Sequence, residues 1–454
     1  MMKKCIFICI FNNEKYIKMS YLLLESIHIY GNLDKNTDIL IYTSSLFMNI
    51  INKSQLFNKN IKFEINDNYN DIDTACKSRL DLFNLKSINN YSKILYLDTD
   101  IIVKNNINTI FDIVVDDIIY VLEEGTIDSD NDFWGKSLFG DEIDNYDDKT
   151  AFTSGILLFN NSEIIKNLFN KIKEDIINRP YNGSFYDQPY IRYNAFKYNL
   201  YNNKLLSLFI VNNDDNIHSN KIIHHFPGSP GVHIHKIKSM TNFLNNIKDY
   251  TININIYRTK EYINRYLLPI IEYCNELLEG NIFMNHHSTN YTNTFISKIK
   301  NISNIVLNKN IKKVMEIGFN AGFSTLLMLL SNPNINITCI DICEHTYTLL
   351  CYKKIKETFG DRINIIIGDS TQTLLNINEE YDLIHIDGGH SPNICTSDII
   401  NSYRLSKSGT IIIMNDYDFP EIYSVWNKYI NIYKLNSLDI NLYNSPHHDI
   451  KYII

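Results

Sequence analysis

Three stretches decide the fold of this 454-residue chain: YLDTDIIV at residues 96–103, VMEIGFNAGFS at 314–324 and IHIDGGH at 384–390. Each is an apolar strand that ends in acidic residues or glycines, a pattern typical of the edge of a parallel sheet. The first stretch lies far from the other two, and a chain of this length exceeds what one hydrophobic core usually serves. The sequence therefore predicts an α/β protein with two domains.

Strands and helices alternate from Lys3 onwards, which predicts a mostly parallel sheet. The predicted strands are CIFICIF, DILIYT, KILYLD, SGILLFN and KIIHHF, and the predicted helices lie at 16–29, 78–88 and 162–178. Gly228, Pro230 and Gly231 then break the regularity. We expect a first domain at residues 1–245.

A second alternation begins at Lys312, with the apolar segments VMEI, ITCIDI, INIIIGD, YDLIHID and TIIIMND. Before it, residues 246–290 show helical spacing at 257–278 and no chemical motif, which predicts a connecting element. DINLYN and DIKYII predict a final antiparallel hairpin. We expect the second domain at residues 291–454.

Composition limits the possible partners and compartments. The net charge of -8 and the pI near 5.9 oppose nucleic-acid binding, which needs a basic surface. The eight cysteines form no CxxC pair, which favours a reducing compartment, and no apolar stretch reaches the roughly 18 residues of a membrane span. We therefore expect a cytoplasmic protein, in the host cytoplasm if its A/T-rich codon bias is viral. The sequence does not predict the oligomeric state.

Asp98 and Asp100 follow an apolar strand and flank a single residue. If the segment is extended, alternation places both carboxylates on the same side, where they could share a cation. Oxygen ligands suit Mg²⁺ or Mn²⁺, which can bridge the phosphates of a nucleotide sugar. The alternative is a solvated acidic strand end, since such tripeptides are common.

Four further motifs follow in order: SRL at 78–80, FTSGILLFN at 152–160, YDQPY at 186–190 and HHFPG at 224–228. With them, residues 3–245 resemble the glycogenin-like and galactosyltransferase-like enzymes of glycosyltransferase family eight. The resemblance implies a GT-A fold, a UDP-sugar donor, Mn²⁺ (or Mg²⁺), a glycan or glycoprotein acceptor and retention of anomeric configuration. It also implies that His225, the first residue of an H-x-x-G segment that ends at Gly228, completes the metal site.

The same resemblance assigns the remaining residues of the first site. Tyr16 would stack on the uracil, although a core aromatic on an amphipathic helix is an equal alternative. Arg79 would contact the donor's phosphate or sugar. Ser154 and Gly155 would line the sugar pocket. Asp187 with Gln188 would lie below the anomeric carbon, where a carboxylate can attack the sugar or stabilise an oxocarbenium-like state. His224 would point away from the metal.

The chain departs from the family pattern at Gly231, where the family commonly has a lysine that binds the diphosphate. Lys236, Lys238 or His233 could replace that lysine. Otherwise the first domain is weakly active, or it is a non-catalytic module that binds a glycan or nucleotide sugar.

The second site is predicted from acceptors and glycines at successive strand ends. Glu316, Gly318 and Gly322 follow the strand VMEI with the spacing ExGxxxG, which lacks the pyrophosphate cradle of a dinucleotide fingerprint. Asp341 ends the next strand, where it could take both ribose hydroxyls, and Asp369 with Ser370 ends the third, within reach of an adenine. These residues predict a pocket for S-adenosylmethionine.

With IDGGH and MNDYD, the region from 290 to 454 resembles a class I S-adenosylmethionine-dependent methyltransferase, and more narrowly a sugar O-methyltransferase. The resemblance implies that Asp387, Asp416 and Asp418 bind Mg²⁺ and that His390 removes the acceptor's proton. His390 could instead be a turn residue after Gly389. The whole chain is thus expected to be a bifunctional glycan-modifying enzyme. The alternative is a methyltransferase only, with an amino-terminal binding module.

Overall fold

The computed structural model describes residues 3–53, 61–127, 134–146, 149–181, 185–228, 233–438 and 442–453, with only the backbone of 233 and 234. The chain divides into two compact units, Met1–Ile247 and Lys248–Ile454. The two-domain α/β fold class is confirmed by this architecture. The domain limits 1–245, 246–290 and 291–454 stay a prediction.

The strands of the first unit form a seven-stranded sheet of order β3-β2-β1-β4-β7-β6-β8 and a three-stranded sheet of order β5-β10-β9. Their bounds are β1 Lys3–Ile10, β2 Thr37–Thr43, β3 Ile61–Ile65, β4 Tyr91–Leu97, β5 Ile101–Val103, β6 Ile119–Thr126, β7 Thr150–Asn160, β8 Tyr201–Asn202, β9 Ile210–Asn212 and β10 Ile223–His225. The strands β1 to β4 are parallel, whereas β7 runs antiparallel to β4.

Helices cover both faces of the larger sheet. Along β1, Cys5 and Phe7 pack into one core and Ile6 and Ile8 into the other, as expected for a strand buried on both sides. The helices that begin in this unit are α1 Glu14–Tyr30, α2 Ser45–Lys53, α3 Ile72–Lys77, α4 Lys136–Phe139, α5 Glu163–Asn178, α6 Gln188–Lys197 and α7 His233–Tyr262.

Two local expectations for the first unit are wrong. Residues 78–88, predicted as one α-helix, form the 3₁₀ segments Ser78–Asn84 and Lys86–Asn90, which the extended backbone of Leu85 separates. Residues 98–100 are not extended, because β4 ends at Leu97 and the chain bends before β5 begins. Hydrogen bonding to neighbouring strands therefore sets the direction of the two carboxylates, and strand alternation does not.

The second unit contains a seven-stranded sheet of order β13-β12-β11-β14-β15-β17-β16. The bounds are β11 Lys313–Ile317, β12 Asn336–Asp341, β13 Ile363–Ile367, β14 Tyr381–Ile386, β15 Ser406–Asn415, β16 Asn436–Ser437 and β17 His448–Tyr452. The first five of these are parallel, and β17 is antiparallel to both β15 and β16. The chain thus ends in an antiparallel pair, but the partner of β17 is β16 and not the predicted DINLYN, whose residues 442–444 form no strand and whose residues 439–441 lie outside the described ranges.

The helices of the second unit are α8 Leu268–Cys274, α9 Ile296–Val306, α10 Phe323–Ser331, α11 Thr348–Phe359, α12 Ser370–Thr373, α13 Pro392–Arg404 and α14 Pro420–Tyr433. The segment predicted as a connector packs against this unit, since the Tyr262 hydroxyl donates to the carbonyl of Lys354 at 2.9 Å. In the described ranges, no helix combines the length and the apolarity that crossing a membrane requires.

Candidate active sites

A cavity of about 390 Å³ opens in the first unit where β4 ends. It is lined by almost all of the side chains that the sequence analysis singled out there: Tyr16, Arg79, Asp98, Asp100, Ser154, Gly155, Asp187, Gln188, His225 and Gly228. Lys236 also lines it, whereas Lys238 is exposed on the surface. Gly231 lies outside the described residues, as does the side chain of His233.

Backbone hydrogen bonds bring the two aspartates and His225 together. The amide of Asp98 donates to the carbonyl of Gly155 at 2.8 Å. Antiparallel pairing sets His225 opposite Ile101, and the amide of Phe226 donates to the carbonyl of Asp100 at 2.9 Å. Three strands that are distant in sequence thus place their side chains around one point.

Each of these three side chains is held by one atom and presents another to the cavity. Asp98 Oδ1 accepts the Tyr96 hydroxyl, while a Cβ placed on Gly155 would lie 2.9 Å from Asp98 Oδ2 and 3.1 Å from His225 Nε2. His225 Nδ1 lies 2.8 Å from Asn212 Oδ1, which orients the ring. Asp100 Oδ1 lies 3.5 Å from His225 Nε2. The hydrogen on Gly155 therefore keeps open a space between a carboxylate oxygen and an imidazole nitrogen.

Lys236 neutralises Asp100, since its Nζ lies 2.6 Å from Asp100 Oδ2. Burial alone would raise the pKa of Asp100, but the charges of Lys236 and His225 lower it well below its ordinary value. The other histidine of the pair, His224, is fully buried and packs on Phe243 with ring centroids 4.4 Å apart. It faces away from the cavity, as the strand alternation predicts.

Arg79 connects the two acidic parts of the cavity. Its Nε lies 3.0 Å from Asp187 Oδ2, and its Nη1 lies 3.4 Å from Asp98 Oδ1 and donates to the carbonyl of Ser154 at 2.6 Å. Burial raises the pKa of Asp187 to about 6, despite the opposing charge of Arg79. Gln188 Oε1 accepts the amide of Ser154 at 3.0 Å. Asp187 and Gln188 are therefore both fixed on the cavity floor.

In the second unit, five adjacent parallel strands end at one edge, so the acceptors predicted from separate motifs lie in a row. Gly318 and Gly322 have φ of +91° and +76°, which only glycine adopts easily. A Cβ on Gly318 would clash with the carbonyl of Asp387 on the neighbouring strand end. Close approach of the two loops therefore requires glycine at 318.

Asp341 organises the glycine loop through backbone amides. Its Oδ2 accepts from Phe319 at 2.7 Å and Asn320 at 2.8 Å, and its Oδ1 accepts from Cys343 at 2.7 Å. Asp369 caps the short helix α12 through the amide of Thr371 at 2.8 Å, and Ser370 is the first residue of that helix. These side chains lie at the predicted cofactor edge.

Glu316 differs from its neighbours because its side chain faces the interior. Glu316 and His385 are both 0% exposed, and Glu316 Oε1 lies 2.9 Å from His385 Nδ1. The other oxygen accepts the hydroxyl of Thr325. A direct contact of this carboxylate with a cofactor does not fit its burial, so its contribution is to hold β11, β14 and α10 together.

The predicted acceptor-binding end of the second site is held by contacts that the sequence analysis missed. Asp387 Oδ1 accepts the side-chain amide of Asn415, and its Oδ2 lies 4.0 Å from Nζ of Lys298. His390 Nε2 lies 2.8 Å from Asp416 Oδ2, and this hydrogen bond raises the pKa of His390. Asp418 does not contact Asp387 or Asp416 in the same way: its Oδ2 lies 2.9 Å from Nδ1 of His447. No local pattern marks Lys298, which sits in the helix ISKIKNISNIV.

These contacts do not fit the predicted Mg²⁺ ligands Asp387, Asp416 and Asp418. Asp387 Oδ1 accepts the side-chain amide of Asn415 and its Oδ2 lies 4.0 Å from the Lys298 ammonium, while the amide oxygen of Asn415 is buried without a hydrogen-bond partner in the structure. Asp416 and Asp418 are each paired with a different histidine. The shared metal site expected in this unit therefore stays a prediction, with each of its three residues already engaged by other groups.

Two family models match separate parts of the chain. Residues 10–197 match "Glycosyl transferase family 8", and residues 315–417 match "Methyltransferase domain". The first match includes Asp98, Asp100, Asp187 and Gln188, and the second extends from the strand before the glycine loop to just beyond Asp416. No curated protein matches the chain.

Similar solved structures cover about half of this chain. The WbbM bifunctional glycosyltransferase is 16% identical, over 53% of this chain and 50% of that chain, with a TM-score of 0.38. This chain thus spans about half the length of that protein. The galactosyltransferase LgtC is 15% identical over 53% and 95%, with a TM-score of 0.36. The Podospora anserina methyltransferase PaMTH1 is 13% identical over 44% and 95%, with a TM-score of 0.33.

The role of Glu316 is testable by unfolding. We expect Glu316→Ala to lower the free energy of unfolding of the second unit by about 3 kcal/mol or more, because it leaves a buried partner unpaired. The exposed capping change Asp369→Ala should cost only about 1 kcal/mol. Trp426, fully buried in this unit, reports urea unfolding by fluorescence in a chain that also carries Trp134→Phe. Unchanged unfolding with weakened S-adenosylmethionine binding would contradict the assignment.

Proposed function

We propose that this chain, which combines a family 8 glycosyltransferase domain with a methyltransferase domain, adds a sugar to a glycan or protein acceptor and methylates a sugar hydroxyl. The donors in the proposal are a UDP-sugar and S-adenosylmethionine. The observation that carries it is that Asp98 and His225 face the open side of Gly155 while Asp100 Oδ1 lies 3.5 Å from the same nitrogen of His225. Tethering on one chain would raise the local concentration of a shared intermediate.

The donor types in the first cavity suit a divalent cation, although no three acidic, histidine or cysteine side chains of the described ranges stand close enough together in this structure to hold one. Asp98, Asp100 and His225 supply oxygen and nitrogen donors, a mixture that suits Mn²⁺ better than Ca²⁺. Tyr96, Lys236 and Asn212 hold the other atom of each side chain, which fixes the orientation of the three donors. Such a cation would neutralise the charge on the departing nucleoside diphosphate.

The other cavity residues then have defined tasks in the proposal. Tyr16, half-buried on the cavity wall, stacks on the uracil. Gly231 stands where the family commonly has a lysine that binds the diphosphate. Lys236 is the favoured replacement for that lysine, because it lines the cavity while Lys238 is exposed. Arg79 acts through Asp187, which it holds beside the anomeric carbon, and Asp187 stabilises or attacks the positive centre there.

Sugar-nucleotide turnover tests the first half. With Mn²⁺ and a panel of UDP-sugars, the chain should release UDP, and Asp98→Ala plus Asp100→Ala should lower the rate by about a hundredfold or more. Gly155→Ala should do the same without a change of charge, because its methyl group would fill the space between Asp98 and His225. Gly280→Ala, where an added Cβ meets nothing within 4 Å, is the matched control. If neither the unaltered chain nor any of the three variants releases UDP, the first domain is better explained as a non-catalytic binding module.

The pH profile distinguishes Asp187 from Gln188. The pKa of Asp187 is about 6, and only the ionised carboxylate can stabilise or attack a positive centre. The value of kcat/KM should therefore rise tenfold per pH unit below about pH 6 and level off above it. Asp187→Asn should abolish this rise together with most of the activity. A profile that is flat between pH 5 and 7 would assign the catalytic contact to Gln188.

In the second site, His390 is the proposed base. In the tautomer whose Nε2–H donates to Asp416, Nδ1 of His390 accepts the proton of the acceptor hydroxyl. The hydroxyl oxygen forms a bond to the methyl group as the bond from that group to the sulfonium sulfur breaks. The products are a methyl ether, neutral S-adenosylhomocysteine and a protonated His390. Asp341, Asp369 and Ser370 hold the cofactor's nucleoside from their strand ends.

Methyl transfer tests the second half. His390→Ala should lower transfer to a sugar hydroxyl by about a hundredfold, a typical contribution of general base catalysis, while S-adenosylmethionine binding persists. His447→Ala, which removes the partner of Asp418, is the matched histidine control. Product masses and calorimetric cofactor binding provide the two measurements. Equal transfer by His390→Ala and the unaltered chain would exclude His390 as the base.

A further inference from the structure

A buried lysine lies beside the carboxylate predicted to hold a metal in the second unit. Lys298 is 3% exposed and belongs to α9, which precedes the first strand of the sheet and lies outside the matched region. Its Nζ is 4.0 Å from Asp387 Oδ2. A buried ammonium requires a negative partner, and Asp387 supplies it.

We propose that the ammonium group of Lys298 replaces the divalent cation at the methyl-transfer site, so that methylation proceeds without a metal ion at Asp387 and Asp416. The inference rests on the methyl transfer proposed above. Lys298 is a positioning residue in this scheme, because it acts through Asp387, whose charge it neutralises. The proton of the acceptor goes to His390, as already described.

A histidine, an aromatic ring and an amide lie around the ammonium group of Lys298 and Asp387. Burial, together with the charges of Lys298 and His385, lowers the pKa of nearby His448 to about 3, so that His448 is neutral at neutral pH. The ring of Phe295 lies 5.9 Å from Nζ, within cation–π range. Asn415 donates to the other oxygen of Asp387, which completes the set of partners that a cation would otherwise supply.

The carboxylates of the two sites differ in the partners that surround them. In the first, Asp98 and His225 each keep an atom directed into open space, although Lys236 is bound to Asp100. In the second, both oxygens of Asp387 face donors of the protein. In the first unit, Asp98 and His225 thus leave space for an added cation beside the lysine-paired Asp100, whereas Asp387 itself contacts both a lysine and an amide.

Metal binding tests the inference without any acceptor. Full-length chains carrying Asp98→Ala and Asp100→Ala, which disable the first cavity, are titrated with Mn²⁺ and followed by electron paramagnetic resonance. With Lys298 present, Asp387→Ala should leave Mn²⁺ binding unchanged. Lys298→Ala should create a Mn²⁺ site, so that its affinity for Mn²⁺ is on the order of tenfold higher than that of the chain that retains Lys298. Adding Asp387→Ala to Lys298→Ala should remove this gain. Lys300→Ala, on the same helix, should create none.

Methyl transfer by the chain that retains Lys298 gives a second measurement, which does not depend on how Lys298→Ala folds. Neither EDTA nor added Mg²⁺ should change its rate by more than about twofold. Loss of activity in EDTA with recovery in Mg²⁺, or Mn²⁺ binding that Asp387→Ala abolishes while Lys298 is present, would overturn the inference. A folded Lys298→Ala that gains no site would overturn it too. If no hydroxyl is methylated at all, the proposed function fails, and the Mn²⁺ titration still decides the role of Lys298.

Discussion

A carboxylate at the edge of a sheet must be paired when the loops around it exclude water, and this constraint organises both units. Removing a charge from water costs several kcal/mol unless a partner compensates. Arg79 pairs with Asp187, Lys236 with Asp100, and Lys298 with Asp387. In each pair the cation comes from a different structural element, so the pairing fixes the loops relative to the sheet as well as the charge.

The pairs also determine what each carboxylate can do. Asp187 keeps a pKa of about 6 because burial outweighs the charge of Arg79, so it changes its ionisation near neutral pH. Asp100 behaves in the opposite way, since Lys236 and His225 hold its pKa far below the ordinary value. One cavity therefore contains a carboxylate that stays charged and one that titrates, which matches the cation-binding role proposed for Asp100 and the catalytic role proposed for Asp187.

Local patterns in the sequence predicted the fold class, the main strands and the glycine loop, because buried parallel strands and positive φ angles impose their own residue types. Patterns could not predict the pairs. Lys298 reads as an ordinary lysine in an amphipathic helix, and only the packing of α9 against the sheet brings it to Asp387. Glu316 is the opposite case, a residue that a motif marks but that does not face the pocket. Its place in ExGxxxG predicted a cofactor contact, whereas its side chain is fully buried.

Asp98 and Asp100 lie near each other as predicted, but the reason for it differs from the predicted one. Asp98 and Asp100 reach one cavity, but through a bend fixed by Gly155 and Phe226 and not through the alternation of a strand. The individual site residues remain predictions, because the matching family models identify domains and not contacts. What the structure adds is the set of partners that each predicted side chain already has.

Counting those partners restricts how Asp341 can bind a ribose. A carboxylate offers about four acceptor positions. The amides of Phe319, Asn320 and Cys343 occupy three of them at 2.7–2.8 Å. One ribose hydroxyl can therefore donate to Asp341 while the glycine loop keeps its present form. Binding of both hydroxyls would require one amide to leave, so the proposed contact of Asp341 with the nucleoside would be coupled to the conformation of the loop that approaches Asp387.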